Sequence, residues 1–162
     1  MELSREQVAA VYRRPLLDLV FQAQTIHRRH HRPCEVQQSA LLSIKTGGCS
    51  EDCAYCSQSA HHEAPATPTP MLGMGEVLSF AKQAKAGGAA RVCMGTSGRG
   101  ADELEFEQVL DMVREVKALG VETCVTLGML LPGQAERLKA AGLDAYNHNL
   151  DTSRRYYPEI VT

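Results

Sequence analysis

The sequence predicts an α/β fold: a parallel sheet of the TIM-type (β/α) barrel, of which about half, four βα units, is expected behind a set of N-terminal helices. Three observations carry this. An amphipathic helix, a glycine and a short strand recur three times; a further strand precedes the first of these units; and polar or sulfur side chains alternate with apolar ones along the strands.

Ser4 followed by Gln7 makes a capping-box start, and Pro15 opens a second helix with Leu16, Val20, Phe21, Ala23 and Gln24 on overlapping turns. That helix runs into Arg28, Arg29, His30, His31 and Arg32, cations that complement the dipole of a helix C-terminus. His27, His30 and His31 are therefore read as a solvated helix end, not as ligands. Residues 1–35 form the helical extension, and 36–162 the first half of the barrel. Val36 to Ile44 is read as an extended segment leading into Lys45-Thr46-Gly47-Gly48-Cys49. His61 to Gly73, with Pro65, Pro68 and Pro70, is too rich in proline for a helix or a central strand.

The repeats follow. Val77, Leu78, Ala81 and Ala84 lead through Gly87-Gly88 to a strand at 89–94; Phe106, Val109, Val113 and Val116 lead through Gly120 to one at 121–127; Ala135, Leu138 and Ala141 lead through Gly142 to one at 143–149. A closed barrel has eight strands and about 250 residues. An incomplete barrel is thus expected, either the first part of a longer chain or one whose edge strands pair with something else.

The 162 residues hold 17 Lys+Arg against 19 Asp+Glu, a formal net charge of -2, which argues against a dedicated nucleic-acid or membrane-surface protein. The longest nearly apolar stretch, Val125 to Leu131, is far too short for a membrane span, and the polar start Met1-Glu2-Leu3-Ser4-Arg5 lacks a signal-peptide core. A cytoplasmic protein is expected. In a reducing compartment the six cysteines are thiols, so metal binding or catalysis has to account for their spacing.

Cys49, Cys53 and Cys56 place three soft ligands in one short loop, which suits an iron-sulfur cluster or zinc. Zinc would need a fourth protein ligand, for which His61 and His62 are available. A 4Fe-4S cluster on three cysteines keeps one iron open for a substrate or cofactor. On the strands, Arg91 and Cys93 share one face, as do Glu122, Cys124 and Thr126, and in a barrel that face points inward. Two thiols from neighbouring strands could share a second metal site, although each alone reads as a small core side chain. Asn147, Asn149 and Asp151 recur at period two near the C-terminal end of the fourth strand, where barrel active sites are built. Gly95 and the segment Thr96 to Gly100 could let backbone approach a ligand.

Cys49-x3-Cys53-x2-Cys56, with Tyr55 before the last cysteine, resembles the signature of the radical S-adenosylmethionine superfamily. The segments Leu42-Ser43-Ile44-Lys45-Thr46-Gly47, Arg91-Val92-Cys93-Met94-Gly95, Thr123 to Gly128 and Tyr146 to Ser153 resemble the biotin synthase family more closely, over its N-terminal half, from about residue 27 onward. The resemblance implies sulfur insertion into dethiobiotin to close the ring of biotin. It implies a 4Fe-4S cluster on Cys49, Cys53 and Cys56, whose free iron binds S-adenosylmethionine. One electron from a flavodoxin-like donor then yields methionine and a 5′-deoxyadenosyl radical. It further implies a 2Fe-2S sulfur donor with ligands at Cys93 and Cys124, Arg91 beside it, Tyr55 and Asp151 toward the cofactor, and Asn147 and Asn149 toward dethiobiotin. It implies a homodimer for the full-length family. Cys34 matches no ligand. The remaining 2Fe-2S ligands of the family, a cysteine and an arginine, fall on later strands, so this chain alone is not expected to turn over. Two other readings stay open: a metal-binding half-barrel without catalysis, and a radical enzyme with another substrate.

Overall fold

The computed structural model describes residues 3–64 and 66–161. Pro65 of the proline-rich loop, the Met1-Glu2 start and Thr162 lie outside the described residues. The chain divides into two compact units, Met1–Val36 and Gln37–Thr162. The first holds α1 (Arg5–Tyr12) and α2 (Leu16–His30). Ser4 caps α1: its hydroxyl accepts from the Gln7 N–H, and the Gln7 side chain accepts in return from the Ser4 N–H at 2.7 Å. α2 begins directly after Pro15, with His27, Arg28, Arg29 and His30 in its last turn.

The second unit alternates β1 (Ser39–Lys45), α3 (Met74–Ala86), β2 (Arg91–Thr96), α4 (Glu103–Ala118), β3 (Glu122–Thr126), α5 (Gln134–Ala140) and β4 (Ala145–Tyr146), and closes with the short α6 (Tyr157–Ile160). The four strands form one sheet in the order β1-β2-β3-β4, every neighbour parallel. This is the half-barrel topology the repeats predict, since each helix returns the chain to the same end of the sheet.

One face of the sheet is sealed. Val92, Met94 and Val125 are fully buried and cluster with Val77 and Ala81 of α3, and with Phe106, Val109, Val113 and Val116 of α4. Apolar residues at helical spacing thus meet every second residue of the strands, the expected match of period 3.6 to period 2. On the other face lie Arg91, Cys93, Glu122, Cys124 and Thr126, all but Cys124 only partly buried.

Strand boundaries differ from expectation in an instructive way. β1 begins at Ser39, not Val36, and β4 spans two residues instead of the seven read at 143–149. Among the described residues β4 pairs through Cys124↔Ala145 and Val125↔Tyr146, and the ladder ends where the Asn147 N–H donates to the Val125 carbonyl at 2.9 Å. Asn147, Asn149 and Asp151 therefore sit on a loop, and period-two alternation does not govern them. α6 carries no sequence signal strong enough to predict it.

Asp144 fastens the start of β3. Its carboxylate accepts from Lys117 Nζ and from the buried Thr123 N–H, each at 2.7 Å, and these bonds, Lys117 first, hold it below the ordinary carboxylate range. A lowered folded-state value means stabilisation that is present above the unfolded value and lost as pH falls through the folded one. Asp144→Ala is expected to cost about 1–3 kcal/mol at pH 7, because it orphans a buried donor. In urea denaturation the gap between variant and parent should close as pH drops below about 4.

Candidate functional site

The C-terminal ends of all four strands meet one cleft of about 260 Å³, and side chains from five successive segments line it. The loop after β1 contributes Cys49, Glu51, Cys53, Tyr55 and Cys56; the ends of β2 and β3 contribute Thr96, Arg99, Thr126 and Gly128; the loop after β4 contributes His148, Asn149 and Asp151; and α6 with its C-cap contributes Tyr157 and Val161. Parallel strands make this unavoidable, because every βα loop leaves the sheet at the same rim.

The cysteine loop is held by its own backbone. The Cys49 N–H donates to the Gln58 carbonyl at 2.9 Å, the Ala60 N–H to the Cys49 carbonyl at 2.8 Å, and the Cys56 N–H to the Cys53 carbonyl at 2.9 Å. The buried Ser59 hydroxyl donates to the Glu51 carbonyl at 2.6 Å. Outside the loop, Ala54 donates to Ile160 of α6, Arg99 pairs with Glu51 at 2.9 Å, and the buried Ser97 hydroxyl donates to the Gly47 carbonyl at 2.7 Å. Glycine is required at two points of this frame. A Cβ on Gly47, whose φ is +71°, would meet Pro68 Cα at 2.9 Å; one on Gly128, φ +75°, would meet the Arg99 carbonyl inside contact distance.

Cys53 lies within charge range of both Cys49 and Cys56. Cys53 is pushed up first by burial and then by the Asp151 carboxylate, with smaller contributions from Cys56 and Cys49. All three are partly exposed, so thiolates formed there face the cleft. His61 and His62 are engaged elsewhere, their Nε2 atoms each 3.0 Å from a backbone carbonyl, of Ser50 and Cys53 respectively. Among the described residues no three Cys, His, Asp or Glu side chains converge closely enough to enclose a single metal ion. A tetrahedral zinc with Zn–S near 2.3 Å needs sulfurs about 3.8 Å apart.

Tyr55 and Asp151 are brought together: their hydrogen bond is the largest cause holding the phenol in its protonated form. Asp151 takes φ +62°, alone in that region among the described non-glycine residues. Asn147 Nδ2 donates to Thr126 Oγ1 at 3.2 Å and to Asn149 Oδ1 at 3.4 Å, and His148 Nδ1 donates to the Gly128 carbonyl at 3.2 Å. Cys93 and Cys124 are register partners on β2 and β3, close enough for each thiol to feel the other's charge. Burial, then the neighbouring Cys93, push the Cys124 thiol up to about 11. Arg91 lies beside the pair, bonded to Glu122. Cys34 is exposed, in the other unit of the chain. Sequence reasoning did not find Gln58, Ser97, the Arg99–Glu51 pair or Tyr157, because Ser97 and the ion pair act between distant loops and neither Gln58 nor Tyr157 belongs to any periodic pattern.

A four-stranded parallel sheet with three loop cysteines at its C-terminal rim defines a class, the half-barrel α/β proteins with a thiol-lined cleft. Residues 43–162 match the family model described as the radical SAM superfamily, and the chain belongs to that superfamily. It is 60% identical to the biotin synthase of Nitrosococcus oceani over 156 residues, covering 96% of this chain and 45% of that relative. It is 57% identical to the biotin synthase of Thiobacillus denitrificans over 159 residues, 98% of this chain and 50% of the relative. The chain thus spans about half the length of the curated relatives it matches. A crystal structure of methylornithine synthase superposes with TM-score 0.69 at 17% identity, over 96% of this chain and 47% of that one, a likeness of fold. No helix among the described residues is long and apolar enough to cross a membrane.

Thiol reactivity follows burial and charge. At pH 8 about one in a thousand Cys124 thiols is ionised if its value lies near 11. Mass-spectrometric alkylation with iodoacetamide is therefore expected to label the exposed Cys34 well over tenfold faster than Cys124, the gap narrowing as pH approaches 11.

Proposed function

We propose that this chain forms the cofactor-binding half of a biotin synthase active site, acting in the radical-driven insertion of sulfur into dethiobiotin. The observation that carries the reading is the convergence, at one rim, of the cysteine loop with Asn149 and Asp151, while Cys93 and Cys124 occupy the same sheet face one step below. The identity to biotin synthases over nearly the whole chain supports it.

Cys49, Cys53 and Cys56 would hold the 4Fe-4S cluster. When bound, the cluster and S-adenosylmethionine supply the 5′-deoxyadenosyl radical that unactivated C–H bonds require. The chain's own residues do the placing. Hydrogen bonds within the cysteine loop fix the backbone that carries the three cysteines, and three thiolates would leave the fourth iron open to the cofactor. Asp151 and Tyr55 bind the cofactor's polar groups, Asp151 as an acceptor for hydroxyls and Tyr55 as the phenol that orients it. Asn147, held by Thr126, and Asn149 present amides to dethiobiotin. Cys93 and Cys124 contribute two thiolates to the 2Fe-2S sulfur donor, with Arg91 as the adjacent cation. α6 borders the cleft, with Tyr157 and its C-cap Val161 lining it and the Ile160 carbonyl accepting from the Ala54 N–H. An external flavodoxin-like protein supplies the electron to the exposed cysteine loop.

Anaerobic reconstitution with iron and sulfide tests this. About four irons per chain, an electron paramagnetic resonance signal after dithionite that shifts on adding S-adenosylmethionine, and release of 5′-deoxyadenosine are expected. Cys49→Ala, Cys53→Ala and Cys56→Ala should each abolish all three. Zinc at one per chain with no iron would favour a metal-binding module instead.

A further inference from the structure

We propose that Glu122, braced by Gln37, is the positioning residue that aims Arg91 at the Cys93–Cys124 thiol pair. The inference deepens the assignment of that pair as a metal-thiolate site and rests on it. β2 and β3 run parallel with Arg91 opposite Glu122 and Cys93 opposite Cys124. These two pairs are separated by two residues along each strand, so all four side chains occupy one face of the sheet, the face the helices leave uncovered.

A long arginine on an open sheet face samples many rotamers unless something grips it. Here the grip is one carboxylate oxygen. Glu122 Oε2 accepts from Arg91 Nε at 3.0 Å and from Arg91 Nη2 at 2.7 Å, which fixes the plane of the guanidinium through one edge. The same oxygen accepts from Gln37 Nε2 at 2.7 Å, so Glu122 is itself tethered to the segment that enters β1. None of the three bonds uses Arg91 Nη1. Arg91 sits within charge range of both thiols.

The geometry has a chemical use. Two thiols that bind a soft metal lose their protons and leave negative charge on a half-buried face, and Cys124 is the more buried of the two. A guanidinium held beside them offsets that charge, whereas one free to swing into solvent does so only part of the time. Glu122 contributes orientation, and its amide analogue, which keeps the acceptor oxygen, should retain most of the effect. Neither Glu122 nor Gln37 touches the metal, so both act through Arg91.

The test uses the full chain with Cys49, Cys53 and Cys56 replaced by alanine, leaving Cys93 and Cys124 as the sole thiols adjacent to one another. Cadmium is the probe, titrated anaerobically against a chelator and followed by its thiolate charge-transfer absorbance. Glu122→Ala and Arg91→Ala should each weaken binding about tenfold, the double variant no more than either alone, and Glu122→Gln by less than threefold. A second measurement needs no metal: the Arg91 Nε–H resonance should exchange slowly with water in the parent and in Glu122→Gln, and be lost in Glu122→Ala. Should Glu122→Ala not fold, Gln37→Ala takes its place, with a smaller loss in the same direction. Full-strength cadmium binding by a folded Glu122→Ala, additive losses in the double variant, or a glutamine variant as weak as the alanine one would overturn the positioning role. A parent that forms no cadmium–thiolate band would instead overturn the assignment of the thiol pair as a metal site, a failure visible before any Glu122 variant is made.

Discussion

Parallel pairing of β1 through β4 is the constraint on which everything else depends. Because all four strands point the same way, their loops gather at one rim, and because side chains alternate, each strand divides its residues between a helix-covered face and an open one. The covered face carries the stability: Val92, Met94 and Val125 pack beneath α3 and α4. The open face carries Cys93 and Cys124 as register partners, and the cysteine loop lines the cleft at the C-terminal ends of the strands. The packed residues and the candidate site residues are thus different residues of the same strands.

The rim itself is built from contacts between loops. Ser97 holds Gly47, Arg99 holds Glu51, Ile160 holds Ala54, and Gly128 lets the Arg99 carbonyl approach where any side chain would clash. Three cysteines on a free loop would be a flexible chelator. Tied at several points, the loop holds a fixed backbone at the cleft that Asn149 and Asp151 also line. The left-handed backbone at Asp151 fits the same picture, since residues in sparsely populated conformations persist where surrounding contacts over-determine them.

Much of this was legible in the sequence, for identifiable reasons. The glycine-punctuated repeats encode local helix ends and strand starts, so the topology follows from short-range rules, and the alternation of Arg91, Cys93, Glu122 and Cys124 with apolar neighbours sorts the faces. The cysteine spacing is local too. What escaped reading depends on long-range contacts: β4 runs only as far as its two-residue pairing with β3, and Asn147 to Asp151 follow it as a loop. α6, Gln58 and the Arg99–Glu51 pair have no periodicity to announce them, because a single ion pair or a four-residue helix leaves no pattern. The ring nitrogens of His61 and His62, spaced plausibly for zinc, turn instead to backbone carbonyls, a choice that only three-dimensional neighbours dictate.

The central claim is that the tripod of Cys49, Cys53 and Cys56 leaves one iron of a cube without a protein ligand. Mössbauer spectroscopy of the chain reconstituted anaerobically with ⁵⁷Fe reads this most directly. Addition of S-adenosylmethionine should move the isomer shift of one iron in the cube to that of a higher-coordinate site while the other three keep theirs. A spectrum in which all irons stay equivalent before and after addition, or one with no cube signal at all, would contradict the account.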